Sequence, residues 1–386
     1  MKWSCRQLLF LFAVVIFAAH GEINKKWMKD ALQSHFSQPR HHATYPKYKM
    51  RAMRFIRDEF REYGLETHLD TFNTLLNKVS GINVIGVLKG KHFNTDDDVI
   101  VGVAAHYDTM RDTSGVDDNG AAVVAMLQAA KKVASEPLRN NTVIFAAFDL
   151  EEWEDVRTVT DAACGSISCG CLNFMNTWVP NFWSSTPVVS GVMVMDTIMN
   201  FDETRQSQKL PVSSEMMRRL FPVAAKSIAS DGSQGDFLTA IGRPADSRIL
   251  DAFVNQFQNQ GQGQYEVEKF MLSMLKGNII SPDDISRYEH FMRSDHAIFW
   301  QAGIPAIFIT DTANFRGYMQ NCYHKRCDTM EKVTDSMIEF AAKTSRALAA
   351  TVNQMAPTLP NVNSGHQTFP EVVILFWVVV LAMLPM

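Results

Sequence analysis

Asp98-Val99-Ile100-Val101-Gly102-Val103-Ala104-Ala105-His106-Tyr107-Asp108-Thr109 is the stretch on which the reading of this chain turns. Val99, Ile100, Val101 and Val103 form a β-branched apolar run of strand length, suited to burial on both faces. The run ends abruptly at His106 and Asp108. A buried strand therefore delivers an imidazole and a carboxylate at its carboxyl end.

The same pattern recurs outward from this stretch. Residues 142–148, 188–195 and 306–310 read as further buried strands, and residues 66–72 and 83–88 as strands nearer the start. Between them lie helical stretches at 27–34, 47–63, 119–133, 295–301 and 330–355. In the second of these, Met50, Met53, Phe55 and Phe60 stand among charges, as in an amphipathic helix. Strands alternating with helices predict an α/β fold, a mainly parallel sheet with helices on both faces. No internal repeat or low-complexity block divides the chain. The Gln-rich residues 255–264 read as a surface loop or helix end, so residues 22–360 form one domain.

Composition narrows the function. Of 386 residues, 46% are hydrophobic and 20% charged, enough apolar surface to offset the entropy of ordering. Lys+Arg 37 against Asp+Glu 41 leaves a net charge of -4, without the basic excess of a nucleic-acid binder. Long apolar runs occur only at the two ends, which excludes a polytopic membrane protein.

Both ends read as processing segments. Lys2 and Arg6 precede an apolar run, and Ala19 and Gly21 fit the -3 and -1 positions of a cut after Gly21, so residues 1–21 are expected to be a secretory signal. The last fifteen residues, 372–386, are almost wholly apolar. As a helix they reach only about 22 Å, short of a hydrocarbon core of about 30 Å. With Asn363, Ser364 and Gly365 upstream, residues 361–386 resemble a lipid-anchor signal of the glycosylphosphatidylinositol type, with a spacer shorter than usual. The expected location is the secretory pathway, then the extracellular space or the cell surface through that anchor.

Export predicts oxidised cysteines. Five remain after the leader: Cys164, Cys169, Cys171, Cys322 and Cys327. The odd number leaves one thiol free or paired with another chain. Cys322 and Cys327 are near enough in sequence for a short-loop disulfide, and Cys164 is expected to pair with Cys169 or Cys171. A zinc knuckle in that cluster is the weaker alternative. Asn140-Asn141-Thr142 makes Asn140 a glycosylation acceptor in a surface loop.

In an open α/β sheet, ligands bind beyond the carboxyl ends of the strands. The residues there are His106 and Asp108, then Asp117 and Asp118 opening a helix, then Asp149, Glu151 and Glu152, then Asp196, then Tyr323 and His324. Any one acid has an ordinary explanation as a helix cap, and a lone histidine as a surface group. Five such segments at one sheet edge would repel one another without a cation among them. Two histidines with several carboxylates suit zinc.

Ala105-His106-Tyr107-Asp108-Thr109, Gly115-Val116-Asp117-Asp118-Asn119-Gly120, Asp149-Leu150-Glu151-Glu152, Asp196, and Tyr323-His324 with Asp328-Thr329 together resemble the co-catalytic dizinc aminopeptidase family. That family also contains glutamate carboxypeptidases and glutaminyl cyclases. Ser294-Asp295-His296 with Gly303-Ile304-Pro305-Ala306 looks like another shared segment. Each motif alone is weak, whereas their order from His106 to Thr329 is specific. The resemblance implies a zinc-exopeptidase-like fold with a mixed, mainly parallel sheet, and two Zn2+ per chain. His106 and Asp196 would bind one zinc, Glu152 and His324 the other, and Asp118 both, with a cis peptide after it. Glu151 would be the general base, and Asp108 would orient the His106 ring.

This arrangement suits hydrolysis of a peptide substrate. Two metals a few ångströms apart lower the pKa of a shared water. Glu151 would move its proton to the leaving amine, and Tyr323 could donate to the oxyanion. A Cys322–Cys327 disulfide would stiffen the loop carrying His324. Asp295 is expected to cap the following helix or to support the site. Lys325-Arg326 after His324, Thr197-Ile198-Met199 after Asp196, and the cysteine-containing residues 153–173 depart from the family's pattern. These surround the substrate side and bear on specificity more than on catalysis. The expected function is a secreted or surface-anchored aminopeptidase. The alternatives are a glutaminyl-cyclase-like acyltransferase, and a receptor-like relative without activity, which would be expected to lose ligands.

Overall fold

Alternation along the strand at 99–106 sends Val101, Val103 and Ala105 to one core and Ile100 and Ala104 to another. A strand apolar on both faces must lie inside a sheet covered on both sides. The computed structural model, which describes residues 22–74, 79–152, 168–261 and 265–359, places it there. Its strands are β1 Glu66–Asn73, β2 Ser80–Leu88, β3 Val99–His106, β4 Val143–Phe148, β5 Val188–Met195, β6 Phe237–Gly242, β7 Glu266–Met271 and β8 Ala306–Thr310. They form one eight-stranded sheet in the order β1-β2-β4-β3-β5-β8-β6-β7. The centre, β4-β3-β5-β8, is parallel. β1 with β2, β2 with β4, and β6 with β8 are antiparallel.

The parallel centre follows the sequence reading, whereas β6 and β7 were not anticipated. β7 reads Glu266-Val267-Glu268-Lys269-Phe270-Met271, whose charges suggest surface. It is the last strand of the sheet, where charged side chains block further pairing. The Gln-rich stretch before it is partly the end of a helix, Ser247–Asn259.

On the face of Val101 and Val103 lie helices α1 Pro46–Glu62, α2 Ala122–Ala134, α3 Ser247–Asn259 and α5 Asp335–Met355. α2 is buried nearly all round, because its small alanines let it sit between the sheet and α5. α5 begins five residues later than the sequence suggests, at a Thr334 cap whose side chain accepts from the Met337 N–H. The opposite face is covered by α4 His296–Gln301 and by helices Ser214–Leu220 and Pro222–Ser230.

Cys322 and Cys327 form a disulfide. Cys169 is also disulfide-bonded, and Cys171 is a buried free thiol. Asn140 is exposed, in the loop before β4. The expected leader 1–21, the tail 361–386 and Cys164 lie outside the described residues. Among the described residues, no helix is long and apolar enough to cross a membrane.

Candidate metal centre

Parallel β3, β4 and β5 bring three chain ends to one rim. His106 is the last residue of β3, Glu151 and Glu152 follow β4, and Asp196 follows β5. Asp118 comes from the turn Val116–Ala121 that leads into α2. His324 comes from the loop enclosed by the Cys322–Cys327 disulfide. Backbone geometry tightens around these side chains. Leu150 (φ 57), Thr197 (φ 51) and His324 (φ 57) are all left-handed without being glycine. Such conformations cost on the order of 1–3 kcal/mol each and persist only where the surroundings enforce them. The Asp118–Asn119 peptide is cis, as the family resemblance implied.

Two groups of donors result: His106, Asp118 and Asp196, and Asp118, Glu152 and His324, with ligand atoms within 4.8 Å of one another in each group. His106 Nε2 is 3.6 Å from Asp118 Oδ1 and 3.6 Å from Asp196 Oδ1. His324 Nε2 is 3.3 Å from Asp118 Oδ2 and 3.2 Å from Glu152 Oε1. Asp118 thus turns one oxygen to each group. All five residues named as metal ligands from the sequence converge.

Whether this set fits metal ions is tested by its unpaired atoms. Both ring nitrogens of His106, Asp118 Oδ2, Glu151 Oε1 and Glu152 Oε1 are buried with no hydrogen-bond partner. Buried polar atoms almost always find partners. Here they face one another across gaps of ligand size, and the nitrogen and carboxylate donors suit zinc. The donor set fits two ions.

The protonation state shows the same demand for positive charge. Burial opposes the charged form of His324, yet Glu152 and Asp118 push its pKa up to about 11. His106 is likewise raised, with Asp196 and Asp108 outweighing burial. Burial and Glu152 lift Asp118 to about 6. Burial, aided by Glu152 and Asp196, raises Glu151 well above the usual carboxylate range despite His106.

The supporting residues have separate tasks. Asp108 accepts hydrogen bonds from the backbone N–H of Glu151 (3.2 Å) and of Glu152 (3.1 Å). Its Oδ1 stands 3.6 Å from His106 Nδ1, an ion-pair distance beyond a hydrogen bond. Asp108 therefore clamps the two glutamates more directly than it orients the ring. Asn119 Nδ2 donates to the Met195 carbonyl and its Oδ1 accepts from Thr197 N–H, tying the turn to both sides of Asp196. Asp117 accepts from Met199 N–H.

Other supports could not be read from the chain. Lys49 Nζ pairs with Asp149 Oδ1 at 2.7 Å, both nearly inaccessible. In sequence, Lys49 is one more charge on an amphipathic helix. Fully buried Arg40 donates to the carbonyls of Tyr107, Ser114 and Gly115, binding the β3 loop to the turn before Asp118. The expectation that Asp295 caps a helix is not met. Its side chain makes no cap bond to α4, and both oxygens of its buried carboxylate lack hydrogen-bond partners. Its pKa rises to about 7 through burial, with Asp108 and Asp196 opposing the effect of His106. His296 is a core residue, stacked on Phe308 at 4.5 Å and bonded to the Phe291 carbonyl. Tyr323 stacks on His324 at 3.8 Å.

Comparison with known proteins agrees with this geometry. The model of peptidase family M28 matches residues 83–247 and 245–349. The uncharacterized protein YfbL of Escherichia coli K12 is 24% identical over 245 residues, 61% of this chain and 62% of that protein. The chain thus spans about 62% of the length of the curated relative it matches. A Zn-dependent exopeptidase from Parabacteroides distasonis superposes with a TM-score of 0.54 at 16% identity, covering 86% of this chain and 99% of that one. The LapA aminopeptidase of Legionella pneumophila gives 0.56 at 16%, covering 90% and 76%. A glutaminyl cyclase from Tannerella forsythia gives 0.53 at 14%, covering 86% and 98%. At these identities the likeness is one of fold.

Proposed function

We propose that this chain, which belongs to peptidase family M28, is a dizinc aminopeptidase removing residues from free peptide N-termini. One observation carries the reading: two complete donor groups share Asp118, with the unpaired carboxylate of Glu151 beside them. A free amine, itself a cation, is attracted to this acidic rim.

His106 and Asp196 would hold one zinc, Glu152 and His324 the other, and Asp118 both. Zinc, when bound there, supplies Lewis acidity and lowers the pKa of a water. Glu151 takes a proton from the attacking water and returns it to the leaving amine. Asp108 fixes the backbone of Glu151 and Glu152, so the base and the adjacent ligand keep different directions. Tyr323, whose pKa burial and Asp118 hold well above the usual phenol value, stays protonated and donates to the developing oxyanion.

The test is hydrolysis of matched peptides with free and acetylated N-termini, with and without chelator. Cleavage of the free series alone, lost on chelation, is expected. Pyroglutamate formation by a one-zinc protein would instead assign a glutaminyl cyclase, and a folded, metal-free, inert protein a receptor-like relative.

Export is part of the same proposal. The Cys322–Cys327 disulfide suits an oxidising compartment, and exposed Asn140 suits a glycan. A mass shift on glycosidase treatment and release from cells by a phosphatidylinositol-specific phospholipase test the glycan and the anchor.

A further inference from the structure

A solvent-open cleft is lined by Asp196 and Tyr323 together with the apolar Phe237, Ile241, Phe270 and Phe308. Arg293 lines the same cleft as Asp196 and Tyr323. Its guanidinium stands 5.0 Å from the Tyr323 ring centroid and 5.8 Å from that of Phe315. Nη1 donates to Asn314 Oδ1 at 2.8 Å. A guanidinium has five N–H donors in a planar fork. Among the described residues no carboxylate lies within ion-pair distance of this one.

The contrast with other arginines here is informative. Arg243 is filled by Asp246 and by the carbonyls of Asn278 and Ile304. Arg40 is filled by main-chain carbonyls. Arg139 and Arg316, also buried, each leave one nitrogen without a partner, Nε and Nη2, but these face the interior and not a cleft. Arg293 is instead flanked by the rings of Phe315 and Tyr323 and bonded to Asn314 and Tyr323, with no carboxylate in its fork, an arrangement able to take a planar anion. Burial disfavours its charge, but the hydrogen bond with Tyr323 and the nearby Asp196 and Asp118 outweigh that.

We infer that Arg293 is a specificity residue that binds a substrate carboxylate lying close to the scissile bond. This rests on the aminopeptidase reading and narrows it. The substrate carries a free amine at one end and a carboxylate within one residue of the bond cut, with an apolar side chain free to enter the cleft. The carboxylate has two sources, the C-terminus of a dipeptide or the side chain of an aspartate or glutamate.

The experiment compares two substrate pairs on the zinc-loaded full chain and on Arg293→Met and Arg293→Lys. Leucyl-leucine against leucyl-leucinamide reads the terminal carboxylate. Leucyl-glutamic acid α-amide against leucyl-glutaminamide reads the side chain. A charge-assisted hydrogen bond predicts a preference of about 10-fold or more in kcat/KM for the acid in one pair. Arg293→Met should reduce that ratio to about one while the uncharged substrates stay within about threefold, and Arg293→Lys should keep part of it, as a point charge without the fork. Equal rates within both wild-type pairs, or a preference unchanged in Arg293→Met, would overturn the inference. Should Arg293→Met not fold, the wild-type pairs and Arg293→Lys still decide. Should no free peptide be cleaved, it is the aminopeptidase reading that has failed. Calorimetric binding of the acid and amide ligands to wild type and Arg293→Lys then still reads Arg293: tighter binding of the acid, weakened by the substitution, supports the inference, and equal binding overturns it.

Discussion

The carboxylate of Asp328 accepts the backbone N–H of Asp118 at 3.1 Å, across 210 residues of sequence. Its other oxygen accepts from Asp117 N–H at 3.0 Å. The turn presenting the shared donor is thus held by an acid from the loop that also carries His324. Asp118 itself faces both donor groups. Asp118→Ala should therefore take the metal content from two zinc ions per chain to near zero, read by elemental analysis after gel filtration. Two zincs retained would refute a shared ligand.

Asp328→Asn tests the support separately from the ligand. An amide keeps one acceptor oxygen and loses the charge. Partners that orient ligands typically change metal affinity by about 10–100-fold when replaced. Zinc competition titrations should show a weakening of that order with the fold intact by circular dichroism. An affinity equal to wild type would make the Asp328 contact a bystander.

Glu151→Gln should separate chemistry from metal binding. The amide cannot take a proton, and general-base loss typically costs about 10²–10⁴-fold in rate. Zinc content should remain at two per chain, because Glu151 belongs to neither donor group. Turnover near wild type would show that another group moves the proton.

Lys49→Met should act on stability before chemistry. Asp149, fully buried, would lose its cation. Breaking such a pair by removing one partner costs about 3–5 kcal/mol. A urea melt should shift accordingly, and the double variant Lys49→Met with Asp149→Asn should recover part of the loss. No shift would mean that the pair carries no net stability.

A pH effect is expected far from the centre, at β7. Burial, with Glu266 and Asp231 adding to it, pushes Glu268 up to about 7 against the Ser227 hydrogen bond. The folded state then binds the proton more tightly than the unfolded chain does. This contribution is present at acid pH and lost as pH rises from the ordinary glutamate range through about 7. Glu268→Gln should raise Tm relative to wild type at pH 8 and converge with it near pH 4.5. A difference independent of pH would exclude this cause.

Much of the site is legible in the chain because strand ends carry chemistry in open α/β sheets. His106, Glu152 and Asp196 each follow a run of apolar residues that announces its strand. Their neighbours are less legible. Asp295 sits where a cap would, yet its carboxylate makes no cap bond. Lys49 and Arg293 look like surface charges, because nothing in local sequence marks which charged residues fold inward. β7 escaped notice because an edge strand need not be apolar.

The sequence by itself determined six of the eight strands, the donor types and the family resemblance, since periodicity and residue chemistry are local properties. Only the tertiary structure decided that Asp328 holds the turn of Asp118, that Asp108 grips the Glu151–Glu152 backbone, and that no carboxylate fills the Arg293 fork. Those outcomes depend on pairings across up to 211 residues, set by sheet order and by the packing of two separate cores.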